Sequence, residues 1–311
     1  GVVNPLPAEL IKDFCAKYKK VYVIEELDDI IETHCKKMGL DVVGKELFGY
    51  IGEFSQALIA EKLLGVKAES SVFDGNVPVR PPVMCAGCPH RGLFYCLSKN
   101  KITVSGDIGC YTLGASAPLA AMDTTICFNK ARGEEAEKST VAVIGDSTFM
   151  HSGMTGLVNI AYNSTNSTVI ILDNSITGMT GHQQNPTTGK NLKGDPAAAV
   201  NLEELCKAIG IKRVRVVDPY NLAETEAAIK EELAAPEASV IISRRPCALL
   251  KYVKHKPALK VVNDKCKGCK ACLKLGCPAI SVRDGKAVID RTQCVGCGIC
   301  TEVCKFGAIE S

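Results

Sequence analysis

Residues 266–277 and 294–304 read CKGCKACLKLGC and CVGCGICTEVC. Each run sets three cysteines at C-x-x-C-x-x-C and a fourth shortly after. The first three recur at an offset of 28 residues, Cys266 with Cys294, Cys269 with Cys297 and Cys272 with Cys300. This internal repeat dominates what the end of the chain can become. A secreted disulfide scaffold would be short and loop-rich. This chain has 311 residues and an odd count of 17 cysteines, eight of them within the last 46 residues. Intracellular, metal-dedicated thiols are the better reading, and a cytoplasmic location is expected. Zinc wants four ligands, commonly as two separated pairs. Two triplets and two singles fit it badly.

The length allows two or three domains, and a hydrophobic fraction of 46% provides for a sizeable core. The chain holds no apolar run of roughly eighteen residues or more, so no membrane span is expected. The opening GVVNPLPAELIKDFC lacks the basic and apolar regions of a secretory signal. It also lacks an initiator Met, as if the chain began in a linker of a larger protein. A net charge of +3 gives no reason to expect a nucleic-acid or membrane partner. From Lys251 to Ser311 there are twelve Lys/Arg against five Asp/Glu. That excess suits either docking of an acidic electron carrier or neutralisation of anionic groups within the segment.

The middle of the chain alternates strand and helix patterns. ITVS (102–105), TVAVIGDS (140–147), STVIILDNS (167–175), KRVRVVD (212–218) and ASVIISR (238–244) read as strands. SGMTGLVNIAYNS (152–164) and LAETEAAIKEEL (222–233) read as helices, and LGASAPLAAM (113–122) is helix-like. Such alternation predicts an α/β fold with a doubly wound, mostly parallel sheet. Ligands of such sheets bind at the carboxyl ends of the strands. Asp146 and Asn174 both stand there, and an acid and an amide suit a hard cation carrying a diphosphate. Magnesium takes oxygen ligands at about 2.0–2.1 Å and only a few of them from protein. Alone, Gly145-Asp146-Ser147 could equally be a helix cap. The following TGMTGHQQNPTTG (177–189) has no apolar periodicity and is either a surface loop or a loop around a cofactor.

MCAGCPHRG (84–92) contains a further C-x-x-C pair, Cys85 and Cys88. By itself it could be a redox dithiol, half a zinc site or two ligands of an iron–sulfur cluster. Cys110 follows a short strand in SGDIGC, and Cys247 follows another in SRRPC. Cys15, Cys35, Cys96, Cys127 and Cys206 sit within apolar patterns and read as ordinary buried cysteines.

The two carboxy-terminal runs resemble the halves of a bacterial-type ferredoxin, in which the fourth ligand of each cluster comes from the other half. That resemblance implies one 4Fe–4S cluster on Cys266, Cys269, Cys272 and Cys304, and another on Cys294, Cys297, Cys300 and Cys277. The first run departs from the pattern by one extra residue before Cys277, and the second has Lys305 where a proline is usual. Gly145-Asp146-Ser147 with Asn174 resembles the motif of thiamine diphosphate enzymes. It implies Mg²⁺ on Asp146, Asn174 and the Ile176 carbonyl, and thiamine diphosphate contacts from Gly145, Ser147, Thr177, Met179 and Thr180. The family more often has Gly at the place of Ser147.

The stretch after Asn174 is similar to the MTGGQ of 2-oxoacid:ferredoxin oxidoreductases, with His182 replacing a glycine. In that family cysteines in the order of Cys85, Cys88, Cys110 and Cys247 hold a third 4Fe–4S cluster beside the thiamine. Together, MCAGCPHRG, SGDIGCYTLG, GDSTFMHSG, DNSITGMTGHQ and the fused ferredoxin resemble the large subunit of indolepyruvate:ferredoxin oxidoreductase. The implied activity is oxidative decarboxylation of an aryl-2-oxoacid with coenzyme A, electrons leaving for free ferredoxin. A smaller partner subunit is implied too. His90 and His182 are candidates for stabilising the substrate carboxylate or its adduct. The same chemistry on pyruvate or 2-oxoglutarate is an alternative, as is an electron-transfer module without catalysis. The expected divisions are the end of a middle α/β domain at 1–68, a linker at 69–82, the cofactor domain at 83–250, a linker at 251–262 and the ferredoxin at 263–311. The family's pyrimidine-binding domain, which supplies a Glu to the cofactor, would lie upstream of residue 1. Glu25 and Glu26 stand at the end of the strand-like VYVIEEL (21–27), followed by the helix-like DDIIETHCKKM (28–38).

Overall fold

A computed structural model describes residues 4–67, 75–77, 81–125 and 140–311. Most of the expected linker 69–82 and Cys127 lie outside the described residues. The chain divides into two units, 1–79 and 80–311. The first holds helices α1 (Ala8–Cys15), α2 (Ile30–Lys37), α3 (Lys45–Phe48) and α4 (Gln56–Leu64). VYVIEEL is not a regular strand there. It makes one isolated parallel bridge, Tyr22 with Val43. The Glu25 carboxylate accepts from the Ile31 and Glu32 amides at the start of α2, and Glu26 accepts from the Phe54 amide. Both acids are therefore used within the unit, satisfying backbone donors.

The second unit begins with α5 (His90–Lys99), which leads into the sheet. Its strands are β1 (Thr103–Gly106), β2 (Thr124–Thr125), β3 (Thr140–Gly145), β4 (Thr168–Asp173), β5 (Arg213–Val217) and β6 (Ser239–Arg244). They lie side by side in the order β2-β1-β3-β4-β6-β5, every pairing parallel. β4 is buried along its whole length, and β3 and β6 nearly so. Their uninterrupted apolar runs are what a sheet covered on both faces demands. One face packs Leu93, Phe94 and Leu97 of α5 with Val143, Ile170 and Ile241. The other packs Ile144, Ile171 and Ile242 with Phe149 and Leu157.

Between the strands run α6 (Asp146–Thr148), a π-helical turn (Phe149–Gly153), α7 (Met154–Tyr162), α8 (Leu202–Ile209) and α9 (Leu222–Leu233). The helix expected from residue 152 thus starts directly after β3, at Asp146. LGASAPLAAM is not an α-helix. A 3-10 helix spans Cys110–Ala115, and Ser116 turns extended. Pro118 has no N–H to give, and its ring disfavours helical backbone just before it.

The carboxy-terminal part pairs β7 (Lys260–Val261) with β10 (Ile309–Glu310), and β8 (Ile280–Arg283) with β9 (Lys286–Ile289), all antiparallel. The short helix α10 (Ile299–Val303) carries Cys300, the last cysteine of the second triplet. β7 falls in the expected linker 251–262 and serves the ferredoxin-like sheet. No helix among the described residues is long and apolar enough to cross a membrane.

Candidate active site and thiol groups

β3 and β4 are adjacent and parallel, so Asp146, which opens α6 directly after β3, and Asn174, which follows β4, come to the same end of the sheet. Both are buried, at 3% and 7% exposure. Asp146 Oδ1 accepts from the Ser147 amide at 2.6 Å, while Oδ2 is buried with no hydrogen-bond partner. An orphaned carboxylate oxygen in a closed site is costly unless something positive meets it. Burial, with the charge of Asp173 added, pushes the Asp146 carboxyl up to about 7. A bound cation would reverse that shift.

Asn174 is held at both ends of its amide. Its Oδ1 accepts from the Ile176 amide at 3.3 Å, and its Nδ2 faces His90 Nε2 at 3.3 Å. Burial lowers the His90 imidazole to about 4, so the ring is neutral and Nε2 can accept that bond. A cavity of about 120 Å³ is lined by His90, Cys110, Gly145, Asp146, Ser147, Asn174, Ile176, Thr177, Met179 and Thr180, among others. Every cofactor-contact residue expected from the sequence is in that wall. Thr177 Oγ1 donates to Ser147 Oγ at 2.8 Å, tying the loop after β4 to the turn after β3.

Three residues were missed. Tyr111 donates its hydroxyl to buried Asp107 and accepts from the Gly145 amide at 2.9 Å. Its ring meets His90 edge-on, 5.7 Å between centroids. A Cβ on Gly145 would come within 2.9 Å of the Tyr111 ring and hydroxyl, so this position is glycine because tyrosine packs on it. The amide of Asn185, also buried, stands near enough to Asp146 to favour its ionised form. Only a residue's spatial neighbours reveal such roles. Nothing local in SGDIGCY said that Tyr111 would join Asp107 to Gly145.

His182 does not line this cavity. It takes a left-handed conformation, φ 64°, and its Nε2 lies 3.9 Å from Cys247 Sγ. The Cys247 amide donates to the Asn174 carbonyl at 2.9 Å, which anchors this thiol beside the cofactor loop. A Cβ on Gly178 would sit 3.4 Å from Cys110 Sγ. Burial raises the Cys110 thiol, and neighbouring Cys247 and Cys85 raise it further. Cys88, pushed up to about 12 by burial, also feels Cys85 and Cys110. The four thiols therefore share one neighbourhood, with Cys110 in the cavity wall itself.

The carboxy-terminal thiols sort into two groups. Cys266, Cys269, Cys272 and Cys304 line one small cavity. Cys277, Cys294, Cys297 and Cys300 line another. Each group takes three cysteines from one run and one from the other. The extra residue before Cys277 is absorbed by a 3-10 helix, Ala271–Leu275, and a left-handed turn at Gly276, φ 63°. Among the described residues no three His, Cys, Asp or Glu side chains converge as closely as one metal ion requires.

The model of the thiamine pyrophosphate enzymes' C-terminal TPP-binding domain matches residues 86–243. The chain belongs to the thiamine pyrophosphate enzyme family. A 4Fe-4S binding domain matches residues 287–310. The indolepyruvate oxidoreductase subunit IorA of Archaeoglobus fulgidus is 36% identical over 99% of this chain and 54% of its own length. That of Pyrococcus horikoshii is 36% identical over 100% of this chain and 55% of its own. The chain is thus a homologue of these subunits and spans about half the length of the curated relatives it matches. A 2-oxoglutarate:ferredoxin oxidoreductase structure from Magnetococcus marinus aligns with 57% of this chain and 68% of that one, at 16% identity and TM-score 0.45, too slight a likeness to build on.

Proposed function

We propose that this chain carries the cofactor-anchoring and electron-exit half of an aryl-2-oxoacid:ferredoxin oxidoreductase. The reaction is oxidative decarboxylation of an indolepyruvate-type acid with coenzyme A, with a smaller subunit as partner and free ferredoxin as acceptor. The observation that carries the reading is the orphaned Asp146 Oδ2 beside Asn174, in a cavity whose wall includes Cys110. Thiamine diphosphate, when bound, supplies the electron sink for decarboxylation. Asp146, Asn174 and the Ile176 carbonyl would hold its Mg²⁺, an all-oxygen set suited to that ion. Asp146 opens the helical stretch after β3, and Ser147 and Thr148 beside it line the same cavity, where a diphosphate would lie.

His90 holds Asn174 by accepting from its amide, which leaves the amide oxygen for the metal. Tyr111 and Gly145 fix the turn that presents Asp146. Cys85, Cys88, Cys110 and Cys247 would hold a 4Fe–4S cluster next to the cofactor, and the two carboxy-terminal groups one cluster each. The identity of the 2-oxoacid rests on the relatives' names, and an aryl acid is favoured on that ground.

Replacing Asp146 by Ala tests the reading through binding alone. Calorimetry with thiamine diphosphate should show Mg²⁺-dependent binding in the unaltered protein and none in the variant. Full retention would sink the assignment.

A further inference from the structure

α5 carries a charge to which the reading above gives no role. Arg91 is 2% exposed. Its Nη1 donates to the Leu275 carbonyl at 2.6 Å, and its Nη2 donates to the carbonyls of Met84 and Cys85 at 2.7 and 2.9 Å. Nε is buried with no hydrogen-bond partner. Among the described residues no Asp or Glu forms an ion pair with the guanidinium. An arginine keeps its proton when buried. Carbonyl oxygens accept from both its terminal nitrogens but do not neutralise it, and a buried charge left uncompensated is strongly destabilising. Its counter-charge has to come from the groups around it, and those are thiols on two sides.

On one side Arg91 clamps the loop that carries Cys85 and Cys88. On the other it lines the cavity of Cys277, Cys294, Cys297 and Cys300. Ala86 and Gly87, from between the paired cysteines, line that same cavity. The approach is tight, since a Cβ on Gly87 would fall 2.2 Å from Val295 Cγ2. One cation therefore touches the surroundings of two separate thiol groups.

We propose that Arg91 is the shared counter-charge of two iron–sulfur clusters, one on Cys85, Cys88, Cys110 and Cys247 and the other on Cys277, Cys294, Cys297 and Cys300. It favours the reduced, more negative form of each and so raises both reduction potentials together, because net local charge is one determinant of cluster potential. Electron exchange between two such clusters would pass by the Gly87–Val295 contact, and it would move no proton or leaving group. The proposal rests on the cluster assignments of the preceding section.

Two variants of the complete, anaerobically purified enzyme separate charge from shape. Arg91→Gln removes the charge and keeps amide donors, whereas Arg91→Lys keeps the charge and loses the planar fork. A redox titration followed by electron paramagnetic resonance reads each cluster's midpoint. In Arg91→Gln two midpoints should shift to more negative potential, while that of the cluster on Cys266, Cys269, Cys272 and Cys304 stays in place. Arg91→Lys should leave all three near their unaltered values. Cluster loss in Arg91→Gln but not in Arg91→Lys would also support a charge requirement. Unmoved midpoints in Arg91→Gln at full iron content would overturn the proposal, as would equal shifts or cluster loss in both variants. Iron content of the unaltered protein is read separately. About eight irons per chain rather than about twelve would remove the first cluster itself, whatever the variants do.

Discussion

Tyr111 shows how much of the site depends on one hydroxyl. It donates to Asp107 and accepts from the Gly145 amide, and burial together with the neighbouring Asp107 pushes its own ionisation upward. Replacing Tyr111 by Phe keeps the ring and deletes both bonds, leaving Asp107 buried at 0% exposure without that donor. A stability loss of about 1–3 kcal/mol is expected in urea denaturation, together with weaker Mg²⁺-dependent thiamine diphosphate binding. The complementary change, Gly145→Ala, meets the same ring from the other side. The Cβ would force Tyr111 or the turn aside, at a cost of about 1–3 kcal/mol for overpacking. Asp146 and Asn174 were legible in the sequence because their position after apolar strands is itself the signal. Tyr111 was not, since the Gly145 amide it accepts from lies 34 residues away, nor were Asp107 and Asn185, whose roles depend on Tyr111 and Asp146.

At the scale of elements, β3, β4 and β6 were plain in the sequence because buried parallel strands are nearly continuous apolar runs, while β5, a half-buried edge strand, showed itself by its alternation of Arg and Val. LGASAPLAAM misled because its small apolar residues match helical spacing while Pro118 forbids the helix. VYVIEEL misled because its β-favouring composition finds only the single bridge to Val43. The packing of α5 against α9 offers a pH test. Hydrogen bonds from Lys230 and Lys99 lower the Glu226 carboxyl to about 2. A depressed carboxyl contributes stability that is complete above its ordinary value near 4.5 and is lost as pH falls toward about 2. Both lysines are largely exposed, so solvent screening limits the gain. Glu226→Gln should cost about 0.5–1 kcal/mol at neutral pH. The difference from the unaltered protein should fade between pH 4.5 and 2 in denaturation titrations. A constant difference across that range would refute the ion-pair origin.

For the molecule as a whole, the cofactor cavity and the carboxy-terminal thiol groups belong to one unit, 80–311. Cys110 lies in the cavity wall, the Cys85–Cys88 loop packs on the cavity of Cys277, and the second cysteine run completes that contact through Val295. The repeat of C-x-x-C-x-x-C raised the expectation of two clusters from the sequence alone. The proposed third cluster was legible only as four scattered cysteines, placed by separate elements of the chain. It is also what separates an enzyme that passes electrons out of a thiamine site from an α/β scaffold carrying a ferredoxin. Iron and acid-labile sulfide, quantified per chain on anaerobically purified protein, decide it most directly. The account predicts about twelve of each, three clusters of four, and a Cys110→Ser variant that loses about four. About eight in the unaltered protein, unchanged by Cys110→Ser, would contradict it.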